Sequence, residues 1–342
     1  MDLQIIWFFL WALLWAVFFM TDGFDFGIGT LLPFLGKTET DKRVMVNAMG
    51  PLWDGNEVWL IAAGGVTFAA FPILYAAMFS SLYSALMLIL FALIFRGVAL
   101  EFRGKIGDRG WRAFWDLCIF VGSAAPAVLF GVAFANFFQG LPIDANGVYQ
   151  GGLFSLLNGY GLLGGALFLA LFLQHGAIWL AIKSEGDLHD RAARTAGGIF
   201  WVALGVALAF LILTRFQTRL YDNYYAHPLL FLLPLVTLAA FAQVKIFLKK
   251  QRFFMAWFSS ALVIVSCAFF GFIGLFPQML PSSIDPAYGL TAFNSSSSPL
   301  TLSIMLGVVA VFVPIILFYQ TWAYTLFKDK ITAEDLASEE AY

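Results

Sequence analysis

Charge is the scarcest property of this chain: Asp, Glu, Lys and Arg make up 12% of its 342 residues, and the formal net charge is −2. So thin and balanced a set excludes a nucleic-acid-binding surface, and no polybasic run is present to tether the chain to anionic lipid. Cysteine is equally sparse. Cys118 and Cys267 both lie inside apolar runs and match no metal or redox spacing, which excludes a disulfide framework and leaves them as packing residues. No nucleotide-binding loop, zinc-ligand spacing or nucleophile elbow occurs, and no stretch has the composition of a soluble domain. The opening MDLQ lacks the basic segment of a cleavable signal, and the apolar run behind it is too long for one, so it is expected to be retained.

What the chain has in excess is apolar length. Hydrophobic residues reach 61% and aromatic residues 18%, and the mean hydropathy is +0.85. These values mark an integral membrane protein. A crossing of the ~30 Å hydrocarbon layer takes roughly 20 apolar residues, and nine runs qualify. They are Leu3 to Phe34, Val58 to Met78, Ser80 to Val98, Trp111 to Ala135, Leu157 to Ile182, Gly197 to Leu213, Pro228 to Phe247, Phe253 to Phe276 and Leu300 to Phe327. The second and third lie close together, with Pro72 offering a break between them; merging them would lower the number to eight. The expected fold is all-α: nine transmembrane helices in one integral membrane domain covering 1–342, arranged as two four-helix bundles plus a peripheral ninth helix.

Basic residues orient the chain, because loops kept in the cytoplasm carry the excess of Lys and Arg. With the amino terminus outside and the carboxyl terminus cytoplasmic, seventeen of the nineteen Lys and Arg residues fall on the inner side, and only Arg215 and Arg219 fall outside. Residues 328–342 form a short acidic cytoplasmic tail, expected to be a solvated end. The outer segments Gln139 to Ser155 and Pro277 to Pro299 contain no Lys or Arg; they read as short and ordered.

Two acidic pairs stand out, Asp22 and Asp25 in TDGFDFGIG and Asp54 and Glu57 in PLWDGNEVWL. Spacing of three places each pair on one helical face, and the charge topology puts both in the inner half of the membrane. An intramembrane carboxyl costs about 2.5–3.5 kcal/mol on insertion scales, so it faces protein or water and takes a proton or a partner. The pairs read either as a proton or cation entry route or as interfacial caps ion-paired with Lys42, Arg43 or Arg96. Surrounding glycines, among them Gly23, Gly27, Gly64 and Gly65, permit close helix approach. Arg96 and Glu101 in FRGVALEFR form either a surface ion-pair group, with Glu101 facing Lys105, or part of a polar lining. Trp7, Trp11 and Trp15 share one helical face, read as a lipid-facing or packing stripe. His175 is alone in its run; His189 and His227 lie in or beside loops. Because a haem bound on both faces needs paired ligands, the sequence supports no haem held by this chain alone.

The wording of four segments is more specific: TDGFDFGIG in the first run, NAMGPLWDGNEVWLIAAGG opening the second, FRGVALEFR closing the third, and FPQMLPSS followed by SSSSPLTL before the last. In order and over essentially the whole length, the chain resembles subunit II of the cytochrome bd quinol oxidases. That resemblance implies a respiratory complex of prokaryotic cell membranes that oxidises quinol and reduces dioxygen to water. It also implies a larger haem-bearing subunit I carrying two haems b, one haem d and the quinol-oxidising loop. Membrane lipid and a small transmembrane subunit are further partners it allows, nucleic acid is not, and some members hold a structural quinone in this subunit. Carried onto this sequence, Asp25 and Asp54 would line a cytoplasmic proton-uptake path with Asp22, Asn56 and Glu57 as neighbours and Arg96 and Glu101 at its margin. The chain itself would have no catalytic or metal-binding residue. Two other classes would use similar carboxylates: a proton- or ion-coupled secondary transporter, which requires inverted repeats, and a scaffold in which the acidic pairs only tether helices.

Overall fold

A computed structural model describes residues 2–332 and 334–337. Twelve α-helices follow one another among these residues: α1 (Leu3–Leu35), α2 (Glu39–Met49), α3 (Trp53–Ala70), α4 (Pro72–Ser81), α5 (Tyr83–Phe102), α6 (Arg109–Gln139), α7 (Gly159–Lys183), α8 (Gly186–Gln217), α9 (Tyr221–Ala226), α10 (Leu232–Lys249), α11 (Phe253–Leu275) and α12 (Pro299–Leu326). Starts are set locally. Thr38 accepts from the Asp41 amide at 3.0 Å while Asp41 accepts from the Thr38 amide at 2.9 Å, a capping box that opens α2. Asp108, Asn158 and Ser298 cap α6, α7 and α12 in the simpler way.

Eight helices among the described residues are long and apolar enough to cross a membrane: α1, α5, α6, α7, α8, the stretch Pro228–Lys249 that contains α10, α11 and α12. The expected second span, Val58 to Met78, is not in that set, because it is two helices. Phe71 leaves helical geometry at φ −134° and ψ 63°, and Pro72 starts α4. Asp54, Asn56 and Glu57 in the opening turns of α3 further lower its hydropathy. Even so, α3 runs antiparallel to α1 over its length. Asn56 bonds to Asp25 near its start, Thr67 receives the Trp11 indole N–H at 2.8 Å near its end, and the Ala70 carbonyl accepts from Ser297, which lies just before α12.

The core is organised around α1, whose residues Thr21 to Leu32 are all buried. It packs against α3, α6, α7 and α11. A side-chain carbon on Gly27 would lie 2.0 Å from the Phe172 carbonyl oxygen, so only glycine allows α1 and α7 to meet there. Trp7, Trp11 and Trp15 are buried on this helix, which makes the tryptophan stripe packing, with nothing of it left for lipid. Neighbours within the first half are α1–α3, α1–α6 and α5–α6, and within the second half α7–α8, α7–α11 and α10–α11; the halves meet where α6 packs on α7 and where α1 packs on α7 and α11. Helix α12 lies at the periphery, with Leu302 its one buried residue.

One end of the bundle is a belt of charge. Arg103 at the end of α5 bonds to Asp116 of α6 at 2.6 Å and to Glu39 of α2 at 2.9 Å, Lys42 reaches Asp116 at 2.7 Å, and Arg191 of α8 reaches Asp41 at 2.8 Å. The segment after α12 is fastened here at a few points, while most of its described residues stay exposed. Lys183 donates to the Phe327 and Asp329 carbonyls, Arg43 donates to the Leu336 carbonyl, and Leu336 is buried. Residues 333 and 338–342 of that tail lie outside the described residues. At the other end, β1 (Gln278–Leu280) and β2 (Leu290–Thr291) pair antiparallel, a small departure from an all-α chain. Backbone bonds of Leu141 to Pro281 and Ser283 tie that loop to the one after α6.

Candidate functional site

Four helices converge on a buried polar cluster between the charged belt and the middle of the bundle. Asp22 and Asp25 come from α1 on one face, one turn apart, and both are fully buried. Arg96 enters from α5, also fully buried, and its Nη2 donates to both oxygens of Asp22 at 2.8 and 3.0 Å. The same guanidinium donates to Glu57 of α3, whose side chain is 20% exposed and so connects the cluster to the surface. The Phe26 ring lies 4.3 Å from the guanidinium carbon, giving the cation an aromatic floor. Gly122 of α6 sits so close to the Arg96 backbone that a side chain there would clash with it.

Asp25 has a different set of partners. Its Oδ2 accepts from the Asn56 amide nitrogen at 2.7 Å, and the Asn56 Oδ1 accepts from the Tyr324 hydroxyl at 2.8 Å. The Asp25 Oδ1 is buried without a hydrogen-bond partner, as are the Arg96 Nε and Nη1, the Thr30 hydroxyl and the Ser123 hydroxyl. Buried polar atoms of this kind call for ordered water. Two carboxyls, Asp22 and Glu57, thus share one guanidinium, and a third, Asp25, lies one turn along α1 from Asp22, with open hydrogen-bonding positions around them. Arg96 is seven residues from Arg103 along α5, so the cluster lies about 10 Å inside the charged belt at ~1.5 Å per helical residue.

The sequence-derived residues divide. Asp22, Asp25, Asn56, Glu57 and Arg96 come together, whereas Asp54 and Glu101 are exposed and form no hydrogen bond or ion pair among the described residues. Helical phase explains Asp54: burying Asn56 at the fourth residue of α3 turns its neighbour two places earlier outward. Asp54 begins an exposed stripe that continues through Val58, Ile61, Gly65 and Phe68 at alternating spacings of four and three. Glu101 points away at the end of α5 and does not pair with Lys105. Tyr324 escaped the sequence reading because nothing local marks it; it is 268 residues from Asn56.

His175 is buried, with Nδ1 2.5 Å from the Ser260 hydroxyl and Nε2 3.1 Å from the Met20 carbonyl, and its ring stacks on Trp257. With both ring nitrogens engaged, this arrangement does not fit a haem ligand. Among the described residues no group of three or more His, Cys, Asp or Glu is placed to hold a metal ion.

Residues 3–327 match the family model described as cytochrome bd terminal oxidase subunit II. The chain is 36% identical over 338 residues to the cytochrome bd ubiquinol oxidase subunit 2 of Bacillus subtilis, covering 98% of each chain. It is 36% identical over 365 residues to the cytochrome bd-I ubiquinol oxidase subunit 2 of Escherichia coli K12, covering 98% of this chain and 96% of that one. Its fold is similar to that of a chain in the bd oxidase structure from Geobacillus thermodenitrificans, with a TM-score of 0.77 and 15% identity over 95% of this chain and 99% of that one.

Proposed function

The chain belongs to the cytochrome bd terminal oxidase subunit II family, and from that premise we propose that its buried carboxyl cluster carries protons from the cytoplasmic side toward dioxygen reduction in a partner subunit. As a member of that family it is a multi-pass membrane subunit of a quinol oxidase complex. Reduction of dioxygen to two waters takes four electrons from two quinols and four protons. The relatives in Bacillus and Escherichia are named ubiquinol oxidases, and quinol is the electron donor proposed here. The haem-bearing subunit I, with two haems b and one haem d, does the redox chemistry. This subunit supplies protons and covers the partner.

The observation that carries the proposal is Asp25: fully buried, open at Oδ1, hydrogen-bonded at Oδ2 to Asn56, and one turn along α1 from the Asp22 that Arg96 holds. A proton carrier must be reachable by water and must have partners in both protonation states. Glu57, partly exposed and bound to Arg96, is the entrance side of the cluster. Asp22, Arg96 and Glu57 also fit the tether reading, because their ion pairs hold α1, α3 and α5 together; Asp25, outside those pairs, is the mobile-proton site. Asp54 heads the exposed stripe on α3, and a partner packed on that stripe would enclose it and make it the exit from this subunit.

Orientation follows the same logic. The charged belt is the cytoplasmic end, the amino terminus is outside, and α3 with α4 makes a ninth crossing of a prokaryotic cytoplasmic membrane. At ~1.5 Å per residue α3 alone is about 27 Å long, close to the hydrocarbon thickness. The test is turnover of haem-complete complexes carrying Asp25→Asn or Asp54→Asn. Both are expected to oxidise quinol at least about tenfold more slowly, a modest share of what a positioned proton-transfer group contributes. Near-normal oxidase activity in Asp25→Asn would remove the proposal.

A further inference from the structure

Helix α12 touches the body of the protein lightly, yet its inner half makes side-chain hydrogen bonds to the opening turn of α3. Gln320 donates to the Gly55 carbonyl at 2.8 Å and accepts from the Trp59 indole at 2.9 Å; four residues on, Tyr324 donates to Asn56 at 2.8 Å. Asn56 is 1% exposed and sits between Tyr324 and the fully buried Asp25. We infer that Tyr324 is a positioning residue, whose rotatable hydroxyl lets the Asn56 amide serve Asp25 in both of its protonation states.

The chemistry follows from the two ends of an amide. A carboxylate needs a donor, and Asn56 presents its NH2 to Asp25 only while its own Oδ1 is held by the Tyr324 O–H, the arrangement observed. A protonated Asp25 instead offers an O–H and needs an acceptor. If the amide turns over, Oδ1 accepts from Asp25, the NH2 faces Tyr324, and the phenol oxygen accepts from it by rotating its own hydrogen away. Each bond lost is replaced in both states, and no proton passes through Asn56 itself. Without the hydroxyl, one end of this buried amide is unpaired in either state, which costs the desolvation of that group. Asp22, Glu57 and Arg96 remain the charged groups around Asp25 and do not depend on Tyr324.

This inference rests on the proton-carrying role proposed for Asp25, and the experiment separates the two. Turnover and infrared difference spectra of the haem-complete complex are compared for Asp25→Asn, Tyr324→Phe, Asn56→Leu and the double variant Asn56→Leu/Tyr324→Phe. The Asp25 carboxyl band is the one that Asp25→Asn removes as pH is varied. Tyr324→Phe is expected to shift that band and to slow turnover about fivefold, the effect of one hydrogen bond, and to add nothing in the Asn56→Leu background. Additive losses, an unshifted band, or no carboxyl band removed by Asp25→Asn would each overturn the relay. Normal turnover in Asp25→Asn with a band that shifts on Tyr324→Phe would support the amide relay and overturn only the proton-carrying role.

Discussion

At the scale of single residues, Arg96 is the cation on which the cluster depends. Its removal leaves Asp22 buried against Glu57 and Asp25 with no counter-charge. Arg96→Met is therefore expected to destabilise the subunit by about 3–5 kcal/mol, the cost of breaking a buried pair from one side, read as a lower unfolding temperature of the purified complex. Asp144, in the loop after α6, behaves differently because it is solvent-facing. Backbone amides of Val148 and Asn146 bind its carboxylate and hold it below the usual range. A group depressed in the folded state stabilises above its unfolded value and loses that contribution as pH falls through the folded value. Pepsin is expected to cut residues 141–158 slowly until the pH drops beneath the ordinary carboxylate range, and to cut Asp144→Ala rapidly at every acid pH. Spacing alone identified Asp22, Asp25 and Glu57, since a three-residue interval on a helix is a local fact. Asp54 and Glu101 were misplaced relative to the cluster because helical phase around an apolar, glycine-rich segment has no strong face to set it. Tyr324 needed the tertiary structure.

At the scale of elements, the close approach of α1 to α7 explains Gly23 and Gly27 beside the first acidic pair. Gly27→Ala puts a carbon into the Phe172 carbonyl, and backbone cannot move aside as a side chain can. The expected cost is at or above the about 1–3 kcal/mol typical of overpacking, visible as lost thermal stability. Gly65 has open space around it in the chain, so Gly65→Ala is expected to leave the fold of the subunit unchanged. The break between α3 and α4 falls where Pro72 announced it. That α3 runs antiparallel beside α1 was not legible, because it depends on bonds between Thr67 and Trp11 and between Asn56 and Asp25. The one buried point of the tail was not legible for the same reason: Leu336 docks through the Arg43 side chain, and the residues between them give no local sign of it.

At the scale of the whole molecule, charge asymmetry and an exposed α3 stripe define the two surfaces that matter. A cysteine placed at Ser283, in a variant lacking Cys118 and Cys267, is expected to react with an impermeant reagent added outside intact cells. Labelling only after the inner face is opened would reverse the orientation. Ile61 is 73% exposed in the middle of the stripe, and Ile61→Lys is expected to abolish co-purification with the haem-bearing subunit while the chain still inserts. Fold class and family were legible because apolar run length and a few polar motifs are properties of sequence; the depth of the carboxyls, about 10 Å inside the belt by helical rise, was not. That depth makes proton transfer the central claim. The most direct measurement is proton uptake from the cytoplasmic side during a single turnover, followed with a pH-sensitive dye in haem-complete Asp25→Asn complexes. The account predicts that uptake and the oxidation step it feeds slow together by at least about tenfold, while quinol still reduces the haems at the normal rate. Uptake at the wild-type rate in that variant would contradict it.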